Sequence, residues 1–268
     1  MAKIPRDMSL TDLDRELPRL VDRGLPGGGE FLFADLEENP DAPALVALLI
    51  WHGFLPMGGG NMLLLKIHKS RCVLAPESVH VSRKSRRRAR GFHLSIDRAW
   101  ADVVRGIQEH TYTHDSGDCW LTDTLASTYE SVNSLSTALR HGVAFHSIEL
   151  WHTETDKLVA GEIGFTCGSV YSSVTGFALK EEHPGAGGVQ LIALGRWLAH
   201  TGFRLWDLGM ELNYKLELGG KSVPRAEWAG QIRAFRKDSI SLRRPNGASA
   251  TVEGLFAGLP PDPALSSC

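Results

Sequence analysis

The densest concentration of chemistry in the sequence is Ser82-Arg-Lys-Ser-Arg-Arg-Arg-Ala-Arg90, with six cations in the eight residues from Arg83 to Arg90. On a helix these side chains cover most of the circumference, so several face outward together. Such a patch neutralises phosphates, and each contact releases counterions. A solvated surface helix or a sorting signal has the same composition, so both readings stand. The formal net charge is only -2, which makes the patch a local feature and excludes a globally polycationic protein.

A second candidate is Glu182-His-Pro-Gly185-Ala-Gly187-Gly188, placed ahead of a helix. Free backbone N–H groups at a helix N-terminus attract anions. An acyl-CoA pyrophosphate loop has this glycine spacing but a cation or amide where Glu182 stands, and a plain turn fits as well. The third is Asp207, closing the strand-like run Phe203-Arg-Leu-Trp-Asp207. A carboxylate at the carboxyl end of a sheet strand can face a ligand crevice and handle an amine proton, or can cap the next helix. Trp120, Trp151, Tyr171 and Phe177 are core material of which one or two can line an apolar pocket or stack on a base. His110 and His114 have metal-compatible spacing beside Cys119, but no fourth ligand accompanies them, so no metal is expected. There is no serine-hydrolase elbow and no phosphate-binding loop of the Walker type.

The elements needed to position these groups can be read from periodicity. A short helix is expected around Leu10 to Leu20, then a glycine-rich stretch from Gly24 to Gly29, then a helix from Leu45 to His52 stopped by Gly53. Phe54 to Gly60 reads as a turn or loop. Ser82 caps the basic helix, and Phe92, Leu94 and Ile96 alternate as a strand. Asp97 is expected to cap a helix with Ala99, Trp100, Val103, Val104 and Ile107 on one face. Thr122 is expected to cap a single helix running to Gly142. Val143 to Trp151, Leu158 to Thr166 and Val170 to Phe177 are strands with short links, hence an antiparallel meander. A helix from Val189 to His200 then leads to the strand ending at Asp207, a strand–helix–strand crossover. The order predicts a mixed α/β sheet with flanking helices. Residues 1–75 are expected to form a small N-terminal domain, 76–240 the main domain, and 241–268 a loosely ordered Pro/Gly/Ser-rich tail.

The hydrophobic fraction of 43% supports a sizeable core. Four scattered cysteines, Cys72, Cys119, Cys167 and Cys268, suggest reduced thiols and not a disulfide framework. The N-terminus lacks a hydrophobic signal region, and the longest apolar run, Ala42 to Trp51, is too short to span a bilayer. A monomeric cytoplasmic protein is expected.

Several stretches in order resemble the leucyl/phenylalanyl-tRNA–protein transferases. Pro76-Glu-Ser-Val-His-Val-Ser-Arg-Lys-Ser-Arg is similar to the family's proline–glutamate stretch running into a basic helix. Cys119-Trp-Leu-Thr122, His141-Gly-Val-Ala-Phe-His-Ser-Ile-Glu-Leu-Trp151, Leu158-Val-Ala-Gly-Glu-Ile-Gly164 and Leu218-Gly-Gly-Lys-Ser-Val-Pro-Arg225 resemble its later motifs, from Pro76 to Trp228. The resemblance implies an acetyltransferase-like (GNAT-type) α/β fold behind a small N-terminal domain. It implies transfer of Leu or Phe from aminoacyl-tRNA to the N-terminal Arg or Lys of an acceptor protein, marking it for degradation, with no cofactor beyond the aminoacyl-tRNA. It places Arg83, Lys84, Arg86 and Arg87 on the tRNA, with Arg88 expected in the same basic patch, and Trp120 in the pocket near the acceptor end, with Ser147, Tyr171 and Phe177 as further pocket candidates. Asp207 falls on the aspartate of the family's Asp-x-Gln motif, as the catalytic residue.

The departures fall on the site motifs. Gly209 replaces the glutamine of Asp-x-Gln, Val174 replaces the glutamate of Gly-Glu-Ser-Met-Phe, and Met57 replaces the tryptophan of the Phe-Pro-Trp loop. Losing a polar partner of a relay costs ~10²–10³ in rate. Two other readings therefore stay open. One is an acyl-CoA-dependent N-acyltransferase of the same fold. The other is a tRNA- or degron-binding homologue with an impaired relay.

Overall fold

The computed structural model describes the chain except residues 1–2, 6–7, 26–30, 37–38, 60–61, 115–118, 246–248 and 259–268, and the side chains of 111–114. The helices are α1 (Leu10–Arg23), α2 (Ala42–His52), α3 (Arg83–Arg88), α4 (Trp100–His114), α5 (Asp123–Val132), α6 (Thr137–Arg140), α7 (Ala186–His200), α8 (Asn213–Glu217), α9 (Arg225–Phe235) and α10 (Val252–Ala257). The strands are β1 (Phe31–Asp35), β2 (Leu55–Gly59), β3 (Met62–Lys66), β4 (Ser70–Leu74), β5 (Phe92–Ile96), β6 (Val143–His152), β7 (Lys157–Cys167), β8 (Val170–Ala178), β9 (Leu205–Gly209), β10 (Lys221–Pro224) and β11 (Ala250–Thr251).

They form a three-stranded sheet in the order β1-β3-β2 and an eight-stranded sheet in the order β10-β4-β9-β8-β7-β6-β5-β11. The short β6–β7 and β7–β8 links leave no room for a crossover, and β6, β7 and β8 pair antiparallel as expected. Strands β8 and β9 pair parallel and are joined through α7. The result is the mixed α/β sheet with flanking helices that the element order predicts.

Each face of the large sheet carries its own apolar layer. Leu17, Leu49, Tyr129, Phe145 and Ile163 belong to one, and Leu150, Tyr171, Leu194, Leu198 and Trp206 to the other. Helix α2 is apolar nearly all round and buried nearly all round. It packs on α5, α6 and β6, so residues of the N-terminal segment share the first layer with the large sheet. Strand β4, which precedes the expected boundary at Ala75, is itself part of the large sheet.

Four local expectations are corrected. Residues 55–59, expected as loop, are strand β2, hairpin partner of β3. Pro56 and the glycines suggest a turn, but β2 lies at a sheet edge, where proline costs no ladder bond. Asp97 does not cap α4. Its left-handed backbone (φ 56) turns its carboxylate toward β6, where it accepts the Ser147 amide at 3.1 Å and pairs with His146 Nδ1 at 3.0 Å. The leading amides of Arg98 and Ala99 are instead taken by Glu149 Oε1, at 3.2 and 3.1 Å. The single helix expected from Thr122 to Gly142 is two, α5 and α6. They are separated where the Asn133 side chain exchanges two hydrogen bonds with the Phe145 backbone, both at 2.9 Å. Finally, the stretch after Leu242 is not all loose. Strand β11 pairs with β5, and Val252, Leu255 and Phe256 of α10 are buried against α7. Among the described residues no helix is long and apolar enough to cross a membrane.

Candidate functional site

Strands β8 and β9 pair only from Val170 to Ser172 with Leu205 to Asp207. Beyond that, β8 continues to Ala178 with Val174 bulged out of the β7 pairing, while β9 ends at Gly209 in a left-handed conformation (φ 80). A cleft of about 990 Å³ opens where the two strands diverge, at the upper end of the roughly 300–1,000 Å³ typical of small-molecule sites. Its walls are Ser173 to Ala178 of β8, Leu208 and Gly209 of β9, the first turns of α7 from Gly187 to Ile192, and Tyr214 and Lys215 of α8. The β2–β3 hairpin adds Leu55, Met57 and Lys66.

Of the pocket residues proposed from sequence, Trp120 and Phe177 line this cleft. The Phe177 ring fits because Gly106 and Gly161 carry no Cβ, which would strike it at either position. Tyr171 is fully buried one layer behind the wall, donating its hydroxyl to Glu162 Oε1 at 2.9 Å. Ser147 is also fully buried and does not face the cleft. It donates to Glu149 Oε1 at 2.6 Å, in the cluster that caps α4. Trp151 lies there too, its indole N–H donating to Ser95 Oγ at 2.8 Å.

Asp207 is 1% exposed and faces α9, not the cleft. Arg71 clamps it through Nη2 at 2.6 Å and Nε at 3.0 Å, Trp228 Nε1 donates at 3.0 Å, and the Gly209 amide donates at 2.9 Å. Both carboxylate oxygens are therefore committed to the scaffold. In this arrangement the side chain fixes β4, β9 and α9 together.

The basic helix stands at the cleft mouth. The Ser82 hydroxyl accepts the Ser85 amide at 3.0 Å and caps α3, and both serines line the opening. Arg83, Lys84, Arg86, Arg87 and Arg88 are exposed. Arg86 is tethered to the Phe256 carbonyl at 2.8 Å, and Arg88 lies over Gly185 at the start of α7. Among the described residues Arg83, Lys84 and Arg87 make no ion pair. Glu182 pairs with Lys157, which holds its carboxyl below the usual range. Gly187 and Gly188 open on the cleft. His110 lines it as well, while the His114 side chain lies outside the described residues. Cys119 is buried in the apolar layer, and no group of three metal-ligating side chains occurs among the described residues.

Sequence reasoning missed the polar floor. Glu162 is 4% exposed on the cleft wall and accepts hydrogen bonds from Tyr171, Ser173 at 2.9 Å and Gln190 at 3.2 Å. Burial pushes its carboxyl up, against these hydrogen bonds and the Lys215 charge. Lys215 donates to the carbonyls of Leu208 and Met210, and burial lowers its pKa. His68, also on the wall, is held down to about 3 by burial and the nearby Arg71 and Lys66 charges, so it is neutral. A lone glutamate inside the otherwise apolar run of β7 was the available signal, because carboxylates are seldom buried without a reason.

The sequence matches the family model described as leucyl/phenylalanyl-tRNA protein transferase over residues 73–233, well over half of the chain. The leucyl/phenylalanyl-tRNA–protein transferase of Stutzerimonas stutzeri is 29% identical over 200 residues, covering 74% of this chain and 80% of that one. That of Anaeromyxobacter sp. strain Fw109-5 is 27% identical over 257 residues, covering 92% of this chain and 98% of that one. Among solved structures, a tandem GNAT protein from the clavulanic acid biosynthesis pathway aligns over 78% of this chain and 68% of that one, with a TM-score of 0.32 and 13% identity. The chain belongs to the leucyl/phenylalanyl-tRNA–protein transferase family.

Proposed function

We propose that this chain moves leucine or phenylalanine from aminoacyl-tRNA to the N-terminal amine of an acceptor protein. The observation that carries the reading is the placement of an exposed cationic helix at the mouth of an apolar-walled cleft. Helix α3 is held by α7 and α10, so its charges have a fixed position relative to the cleft. A tRNA bound along Arg83, Lys84, Arg86, Arg87 and Arg88 brings its aminoacyl end past Ser82 and Ser85. The apolar side chain then packs against Trp120 and Phe177. The ester is already activated, so no further cofactor is required. Catalysis is mainly the pre-paid entropy of holding amine and ester together.

One observation favours the acyl-CoA alternative. Glu182, the charge most opposed to pyrophosphate at the glycine turn, is engaged by Lys157. The alternatives separate in one experiment, in which the protein is incubated with charged leucyl- or phenylalanyl-tRNA and a peptide beginning with Arg or Lys. Labelled amino acid is expected on the peptide. Micromolar CoA binding without transfer would favour the N-acyltransferase. Salt-dependent tRNA binding without transfer would identify a binding homologue.

A further inference from the structure

We propose that Glu162 is the catalytic base of the cleft, holding the acceptor's attacking amine and taking its proton as the new amide bond forms. This rests on the transferase reading above.

Among the described residues, the carboxylates lining the cleft are Glu162, on its floor, and Glu217, exposed on α8. Asp207 is turned away and clamped by Arg71, while Val174 and Gly209 carry no proton-transferring group. That leaves Glu162 as the buried acid facing the reacting space.

Its surroundings do not explain it as a structural group. Its donors, Tyr171, Ser173 and Gln190, are all neutral, and no cation among the described residues is ion-paired with it. Oε1 receives two hydrogen bonds and Oε2 only the longer one from Gln190. A buried charge without a counter-charge is costly, and an apolar side chain would serve the strand better. The cost is offset when a ligand amine completes the site. Space has also been cleared around it. Gly176 stands opposite Glu162 in the β7–β8 register, and a Cβ there would collide with Glu162 itself and with the Gly161 carbonyl.

The titratable groups facing it are Tyr171 of β8 and Tyr214 and Lys215 of α8. Burial moves the carboxyl upward, the direction a base working near neutrality requires, and the Lys215 charge opposes that movement.

The step balances within the substrates. The neutral amine attacks the ester carbonyl carbon, the C–N bond forms, and the carbonyl π electrons move to its oxygen. The amine proton passes to the Glu162 carboxylate. When the tetrahedral species collapses, the ester C–O bond breaks and the departing ribose oxygen receives that proton. Glu162 is again ionised, and no co-reactant is consumed.

The test measures transfer from leucyl-tRNA to an Arg-initiated peptide across pH, with the full chain and with Glu162→Gln, which keeps the shape but cannot accept the proton. The expected result is a fall in kcat of ~10²-fold or more, loss of the acid limb of the profile, and unchanged tRNA affinity. Wild-type kcat with the acid limb intact in Glu162→Gln would overturn the proposal. So would a change in preferred donor with kcat on the best donor preserved. Absence of transfer by the wild type with any charged tRNA would overturn the transferase reading and the proposal together, a distinguishable outcome. Lys215→Met is the second variant and leaves the carboxylate and its three donors in place. The acid limb should move to higher pH once the opposing charge is gone, and an unmoved limb would count against Glu162 as the base.

Discussion

At the scale of single residues, the buried acids Asp207 and Glu162 differ in environment. Asp207 is tied into an ion pair with Arg71, a residue 136 positions away in sequence. Removing one member of a buried pair leaves the other uncompensated, so Asp207→Ala should cost about 3–5 kcal/mol of stability. Chemical denaturation measures it, and a near-unchanged stability with abolished transfer would return Asp207 to a catalytic role. The sequence pattern ends its strand at Asp207, whereas Asp207 is the middle residue of β9 (Leu205–Gly209), and its partner was not legible at all, because nothing in a local pattern announces so distant a contact. Glu162 behaves oppositely. Its folded-state pKa is raised, so it favours the folded state most when protonated, and this contribution is lost as pH rises through the folded value. Glu162→Gln should therefore melt higher than the wild type at mildly alkaline pH, with the gain shrinking toward acidic pH. Thermal melting of both proteins across that range decides it, and a gain that grows on acidification would reverse the assignment.

At the scale of elements, α3 and the end of β9 make the clearest predictions. The Ser82 cap holds a helix only six residues long, and Ser82→Ala should cost about 1 kcal/mol locally. It should weaken tRNA binding without changing the number of charges. Arg86→Glu with Arg87→Glu should weaken binding further, and should flatten the dependence of log K on log salt by about one unit per lost phosphate contact. Filter binding at several ionic strengths separates the two effects. Replacing Gly209 by Gln, to recreate the family's motif, meets a backbone problem. Its φ of 80 is a left-handed conformation, which costs a non-glycine residue roughly 1–2 kcal/mol. The variant should be destabilised by that much, measured by denaturant titration. The antiparallel meander was legible because its links are too short for anything else, and the cap of α3 because serine before a basic run is a local signal. The β2–β3 hairpin was obscured by glycines and a proline that read as loop. The Glu149 cap of α4 was hidden because it arrives from another strand. Strand β11 and α10 were hidden by a composition that suggests disorder while Val252, Leu255 and Phe256 are buried.

At the scale of the whole molecule, the alternation of strands and helices made the mixed sheet and its crossover legible. The cleft was not legible. It arises from the divergence of β8 from β9 after three paired residues, and from a hairpin and a basic helix brought to its rim from elsewhere in the chain. The motif order identified the family and put Asp207 forward as the catalytic residue, but it carried no information on which way that side chain faces, because facing depends on how each strand twists within the sheet. On the proposed reading, the cleft flanked by α3 receives the aminoacyl end of tRNA. The most direct test is photocrosslinking with tRNA charged with a photoreactive phenylalanine derivative, followed by mapping of the labelled peptide. Label is expected on Trp120, on β8 around Val174 to Phe177 or on the first turns of α7, and is expected to be lost when Arg86 and Arg87 are both made Glu. Label confined to surfaces outside the cleft, or insensitive to that double substitution, would contradict that reading.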